Sequence, residues 1–123
     1  MTSEVVVVKS IRSSLETLSK RVKTVNPTTI CHIGETTSKD ARHIYASFLK
    51  TPQSDTIDLC VLLQPAGTQV VVSADLVKGG SGDVLSELGP IASLGPDGDT
   101  EPFEYHIARY ILAQEDMLLQ ELH

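Results

Sequence analysis

Between residues 5 and 25 the apolar side chains Val8, Ile11, Leu15, Leu18, Val22 and Val25 recur at spacings of 3, 4, 3, 4 and 3. That rhythm places them on one stripe of an α-helix, and a helix so striped must bury that face against something. The expected span runs from near Ser3 to Asn26-Pro27, with Asn accepting a left-handed C-cap and Pro unable to continue the helix. Packing on the chain's own sheet is favoured over a free coiled coil, because fewer than three heptads are present. The run Val5–Val8 is β-branched and has strand character of its own, but it is kept in the helix.

Beyond Pro27 the chain alternates in character. Thr28 to Ile33 reads as a short strand closed by Gly34. Ala41, Ile44, Tyr45, Phe48 and Leu49 fit the i, i+3, i+4, i+7, i+8 template, with Ser38 as N-cap and Pro52 beyond the end, so residues 39–50 are expected to be helical. A strand with Ile44, Ala46 and Phe48 inward is the alternative over so short a span. From Thr56 the texture is β: Ile57–Leu63 places Asp58 and Cys60 on the alternate face, and Gln64-Pro65-Ala66-Gly67 turns the chain into Thr68–Val77. Gly79–Asp83 leads to a further strand, Val84–Leu88, which Gly89-Pro90 is expected to break. Thr100-Glu101-Pro102 has the signature of a helix start, and one last helix is expected to run to about Leu122 with its apolar residues on two faces.

The fold class this implies is α+β: one domain over residues 1–123, a small antiparallel sheet of about four strands, and N-terminal and C-terminal helices packed chiefly on one face. Apolar residues make up 41% of the chain, enough for one core without disulfide or metal staples.

Charge is distributed unevenly. Residues 1–26 carry Lys9, Arg12, Lys20, Arg21 and Lys23 against two acids, whereas residues 27–123 carry fourteen acids against five basic residues, and the whole chain has a formal net charge of −6. Asp97, Asp99, Glu101, Glu104, Glu115, Asp116 and Glu121 face only Arg109 in the last stretch. Such a surface repels phosphate backbones and favours basic partners, so these seven acids are the candidate partner-binding residues and nucleic acid is not an expected partner. The basic residues near the end of the first helix offset its dipole, or pair with the acidic last helix of the same or a second copy, which makes a homodimer a further expectation. Only two Phe and three Tyr are present and no Trp, which leaves little stock for base-stacking platforms.

Chemistry-bearing patterns are few. Asp97-x-Asp99-x-Glu101 resembles the start of a calcium loop, but Pro102 and Ala108 stand where that loop needs Gly and a bidentate Glu. Cys31, His32, His43 and Cys60, with Asp58 as an orienting carboxylate, form the one set suited to thiol or soft-metal chemistry, and adjacent Cys31 and His32 point to opposite faces if they lie on a strand. No cofactor, metal or catalytic residue is therefore expected. A signal peptide and a membrane-length apolar run are lacking, and the reading is a cytoplasmic protein with free cysteines and no membrane partner.

In size, acidity and helix-flanked sheet the chain is similar to bacterial immunity proteins that neutralise toxins, and less closely to the dimeric chaperones of secreted effectors; no motif carries either likeness. The first resemblance implies a non-catalytic module that masks a basic protein partner. The second fits the element order only if Ala41–Leu49 is a strand. The alternative from another class is a small enzyme or ligand-binding domain using Cys60, His32 or His43 with a carboxylate, which requires a concave pocket and a shifted pKa.

Overall fold

The computed structural model describes residues 4–67, 69–94 and 103–123. The chain runs α1 (Glu4–Val25), β1 (Ile30–Thr37), β2 (Arg42–Leu49), β3 (Ile57–Ala66), β4 (Gln69–Lys78), β5 (Val84–Leu94), α2 (Phe103–Leu112) and α3 (Glu115–Glu121). All five strands form one antiparallel sheet in sequence order, β1-β2-β3-β4-β5. The α+β class holds, with a fifth strand where a second helix was expected.

That strand is β2. Residues 39–50 satisfy the helical template, yet Ile44, Ala46 and Phe48 are fully buried while the residues between them are only half-buried. Continuous antiparallel pairing with β1 on one side and β3 on the other decides the outcome. Tertiary pairing overrides a short local pattern that two periodicities can both explain.

β1 does not stop at Gly34 either. Gly34 lies opposite Tyr45 in the β1–β2 register, and a Cβ there would collide with the Tyr45 ring and hydroxyl. The glycine is thus a gap that admits an aromatic side chain inside a strand. β3 likewise continues through Pro65 to Ala66, past the point where β2 begins at Arg42 opposite Leu63, and the hairpin turns at Gly67 with φ 67°. β5 passes through Gly89-Pro90 instead of ending there: the register slips three times along β4–β5, and Gly89, at φ 62°, takes a backbone conformation suited to a bulge.

Inward-facing residues of the sheet meet the helices in one cluster. Val7, Ile11, Leu15, Leu18 and Val22 of α1 are fully buried with Leu59, Val61, Val72 and Leu76, and with Ile107, Ile111, Leu118 and Leu122 from the C-terminal helices. The α1 stripe is thus as expected from Ile11 to Val22, but Val7 takes the place of Val8, and Val25 is exposed. The C-terminal helix is broken at Ala113–Gln114, and Leu118 and Leu122 beyond the break share the core with Ile107 and Ile111. Gln114 is buried at the break and its Nε2 donates to the Tyr110 carbonyl at 3.2 Å. Asn26 is not left-handed, since no residue other than glycine has positive φ among the described residues. Its Nδ2 instead donates to the Leu122 carbonyl at 3.2 Å, fastening the end of α1 to the end of α3. No helix among the described residues is long and apolar enough to cross a membrane.

Candidate functional site

Burial alternates along β2, β3 and β4, so one set of side chains enters the core and the other points away from the helices. The pairing register arranges this second set in rows across the sheet. One row runs His32, Ser47, Asp58, Val77, Val84; the next runs Gly34, Tyr45, Cys60, Asp75, Glu87; a third runs Thr36, His43, Leu62, Ser73, Pro90. This helix-free face carries the carboxylates of Asp58, Asp75 and Glu87, and no Lys or Arg occupies it among the described residues. The basic residues stand on α1 and α2, in connections, or at strand ends on the helical side, as Lys78 does in reaching Glu121 of α3.

A hollow of about 310 Å³ opens on this face, lined by Thr36, His43, Tyr45, Ser47, Asp58 and Cys60. Tyr45 lies over Gly34 and meets the His32 ring at a centroid separation of 6.0 Å. Asp58 accepts from the Thr56 hydroxyl at 3.1 Å through Oδ2, whereas its Oδ1 is buried with no hydrogen-bond partner among the described residues. Burial pushes the Cys60 thiol above its ordinary value of 9.0, and the neighbouring negative charges of Asp58 and Asp75 push it further in the same direction. At neutral pH this sulfur is therefore a protonated thiol, the reverse of what an attacking thiolate needs.

Of the Cys/His set named from the sequence, His32, His43 and Cys60 share this face with Asp58, while Cys31 faces α1, where burial raises its pKa against the lowering effects of a Ser19 hydrogen bond and Lys23. The two cysteines are free and half-buried on opposite sides of the sheet. Among the described residues no group of three or more His, Cys, Asp or Glu side chains is placed to hold a metal ion.

The acids named from the sequence are divided. Asp97, Asp99 and Glu101 lie outside the described residues, and Glu104 is placed only as a position in the first turn of α2. Glu115 approaches Arg21 of α1 at 3.9 Å and Glu121 approaches Lys78 at 3.7 Å, so two of the seven already face cations of the same chain; Asp116 is exposed. These are long, partly exposed surface pairs of the kind that contributes about 0–1 kcal/mol. No family model, curated protein or solved structure matches the chain.

Sequence reasoning missed Asp75 and Glu87 as members of a common face. The alternation of Val72, Ala74 and Leu76 already turns Asp75 outward. Glu87 is brought opposite it by the irregular β4–β5 register, which no periodicity announces.

Proposed function

We propose that the protein is a non-catalytic binding module for a basic protein partner. The observation that supports this reading is the sign of the helix-free face: among the described residues it carries Asp58, Asp75 and Glu87 and no Lys or Arg, whereas the helical side carries charges of both signs. A face of that character attracts a positively charged surface and disfavours anionic ones. Apolar Leu62, Val77 and Val84 adjoin the acids and supply area that can be desolvated on contact.

An inhibitor of a basic toxin and a chaperone of a secreted effector both belong to this class. The strand at 42–49 removes the mismatch in element order that stood against the chaperone version. The enzymatic alternative draws on the hollow that gathers His43, Asp58 and Cys60, but the raised thiol pKa weighs against nucleophilic chemistry there.

The test is recovery of partners from the native host lysate at low and high salt, with wild-type protein and with a variant reversing Glu115, Asp116, Asp75 and Glu87 to Lys. A stoichiometric basic protein, released by salt and absent with the variant, supports the reading. A partner that is acidic, or retained equally by the variant, overturns it.

A further inference from the structure

The two edges of the sheet are built differently. β5, at one end of the strand order, contains Gly89-Pro90 and slips register three times against β4. Bulges and proline are devices that keep an edge strand from pairing further. β1, at the other end, has neither: Ile30–Thr37 contains no Pro, Lys or Arg, pairs with β2 without a slip, and among the described residues no strand lies beyond it. A regular row of backbone N–H and C=O groups is thereby left pointing out of the sheet.

A second copy of the chain fits that row by symmetry. Antiparallel pairing about a two-fold axis perpendicular to the sheet keeps like faces together, so each residue of β1 can oppose only residues of its own parity. With the axis at Ile33, Ile33 meets its own copy, His32 meets Gly34, Cys31 meets Glu35, and Ile30, which is 44% exposed, gains cover from Thr36. Gly34 has no side chain and Tyr45 fills the space over it, so His32 of the other copy finds an aromatic ring there, as it does at 6.0 Å in its own chain.

Charge selects the same register. Glu35 is exposed and lies on the helical side of the sheet, opposite the buried Ile44. Cys31 lies on that side too, and Lys23 of α1 stands close enough for its positive charge to act on the thiol. Setting Glu35 opposite Cys31 of the second copy therefore brings its carboxylate beside the second copy's Lys23, twice in each dimer. An axis at Gly34 would set Glu35 against Ile33 instead, and one at Glu35 would oppose two carboxylates.

We propose that β1 is a dimerisation edge: two copies pair their β1 strands antiparallel about Ile33, joining the two sheets into one, with Glu35–Lys23 ion pairs between the copies fixing the register. The proposal does not depend on what the helix-free face binds. The symmetry does place the two helix-free faces side by side on one side of the joined sheet.

The experiment is sedimentation velocity of the full chain over a concentration series, with circular dichroism to show that each variant is folded. The wild-type chain should dimerise. Glu35→Lys, a change at an exposed position, should raise the dimer Kd about tenfold, since each dimer exchanges two attractive pairs for two repulsive ones, and Lys23→Glu should do the same. The double variant K23E/E35K should return to within about threefold of wild type, which a merely structural role for either residue would not produce. In a C31S/C60S background, Ile33→Cys should form an intermolecular disulfide on mild oxidation, because directly opposed residues lie about 4.5–5.5 Å apart between Cα atoms. His32→Cys in the same background should not, because its copy is a diagonal neighbour about 7–8 Å away. A chain that stays monomeric even at about 200 μM overturns the proposal and leaves the β1 edge to a strand of a different protein. A dimer that Glu35→Lys leaves unchanged, or that links through His32→Cys and not Ile33→Cys, overturns it as well, assigning self-association to another surface or another register.

Discussion

Replacing Phe48 and Leu49 separately with Ala distinguishes the two conformations that residues 39–50 can satisfy. In a helix these neighbours belong to the same apolar stripe, at i+7 and i+8 from Ala41, and their losses would be comparable. In β2 they face opposite sides: Phe48 is fully buried among the largest core side chains, and Leu49 lies half-buried on the helix-free face opposite Ile30. Truncating a buried Phe costs about 3–5 kcal/mol, because the lost transfer energy is joined by the cavity left behind. Leu49→Ala leaves no enclosed cavity and should cost about 1 kcal/mol or less. Against a total stability of about 5–15 kcal/mol, the first loss is a large fraction and the second is minor. Urea unfolding followed by far-UV circular dichroism measures both. With a denaturant slope of about 2 kcal/mol per M, Phe48→Ala should lower the midpoint by about 2 M and Leu49→Ala by about 0.5 M or less. Equal shifts in the two variants would refute the assignment of strand and faces.

Single contacts give further expected outcomes. Gly34→Ala should destabilise by about 1–3 kcal/mol by displacing Tyr45, and a thermal melt of the same change in a Tyr45→Ala background should show that cost removed. Asn26→Ala, which deletes the donor to the Leu122 carbonyl, should cost about 0.5–1.5 kcal/mol in chemical denaturation, while Thr24→Ala at an exposed helix-surface bond should change little. Both thiols titrate above 9.0 in the folded chain, so the folded state holds these protons more tightly than the unfolded one; stability is full below the ordinary thiol value and should decline as pH rises through the raised ones, as a pH series of melts would show. Asp75→Asn should lower the pKa of Cys60 and accelerate its alkylation by iodoacetamide at pH 8, with Cys31, to which Asp75 does not contribute, as the internal control by mass spectrometry.

Elements whose sequence admits one period were legible. α1 repeats its apolar residues along one stripe, and β3 and β4 alternate over Ile57–Leu63 and Val71–Val77, so both the buried stripe and the outward positions of Asp58, Cys60 and Asp75 could be read directly. Where one pattern satisfied two periods, as at Ile44–Leu49, only the neighbouring strands decide. Where a breaker residue was read as an end, the partner strand gave it another use: Gly34 makes room for Tyr45, and Gly89 sits in a bulge. The break at Ala113–Gln114 carries no Gly or Pro, so no local breaker announces it. The candidate face was half legible for the same reason, because strand parity is local and cross-strand register is not.

α1 packs on β1 and β2, which follow it directly, and on α2 and α3, which follow the sheet. During synthesis the meander can close hairpin by hairpin, each strand finding the one just before it. The apolar stripe of α1 finds part of its cover on β1 and β2, which follow it directly, and the rest only on α2 and α3. Its cover from α2 and α3 emerges from the ribosome only when residues 103–122 do, about eighty residues after Val25. Between the making of Val25 and that of α2 the chain therefore carries a positively charged helix whose apolar stripe is only partly covered, and a product cut short before α2 would leave exposed the side that α2 and α3 cover, as a ready target for chaperones and proteases.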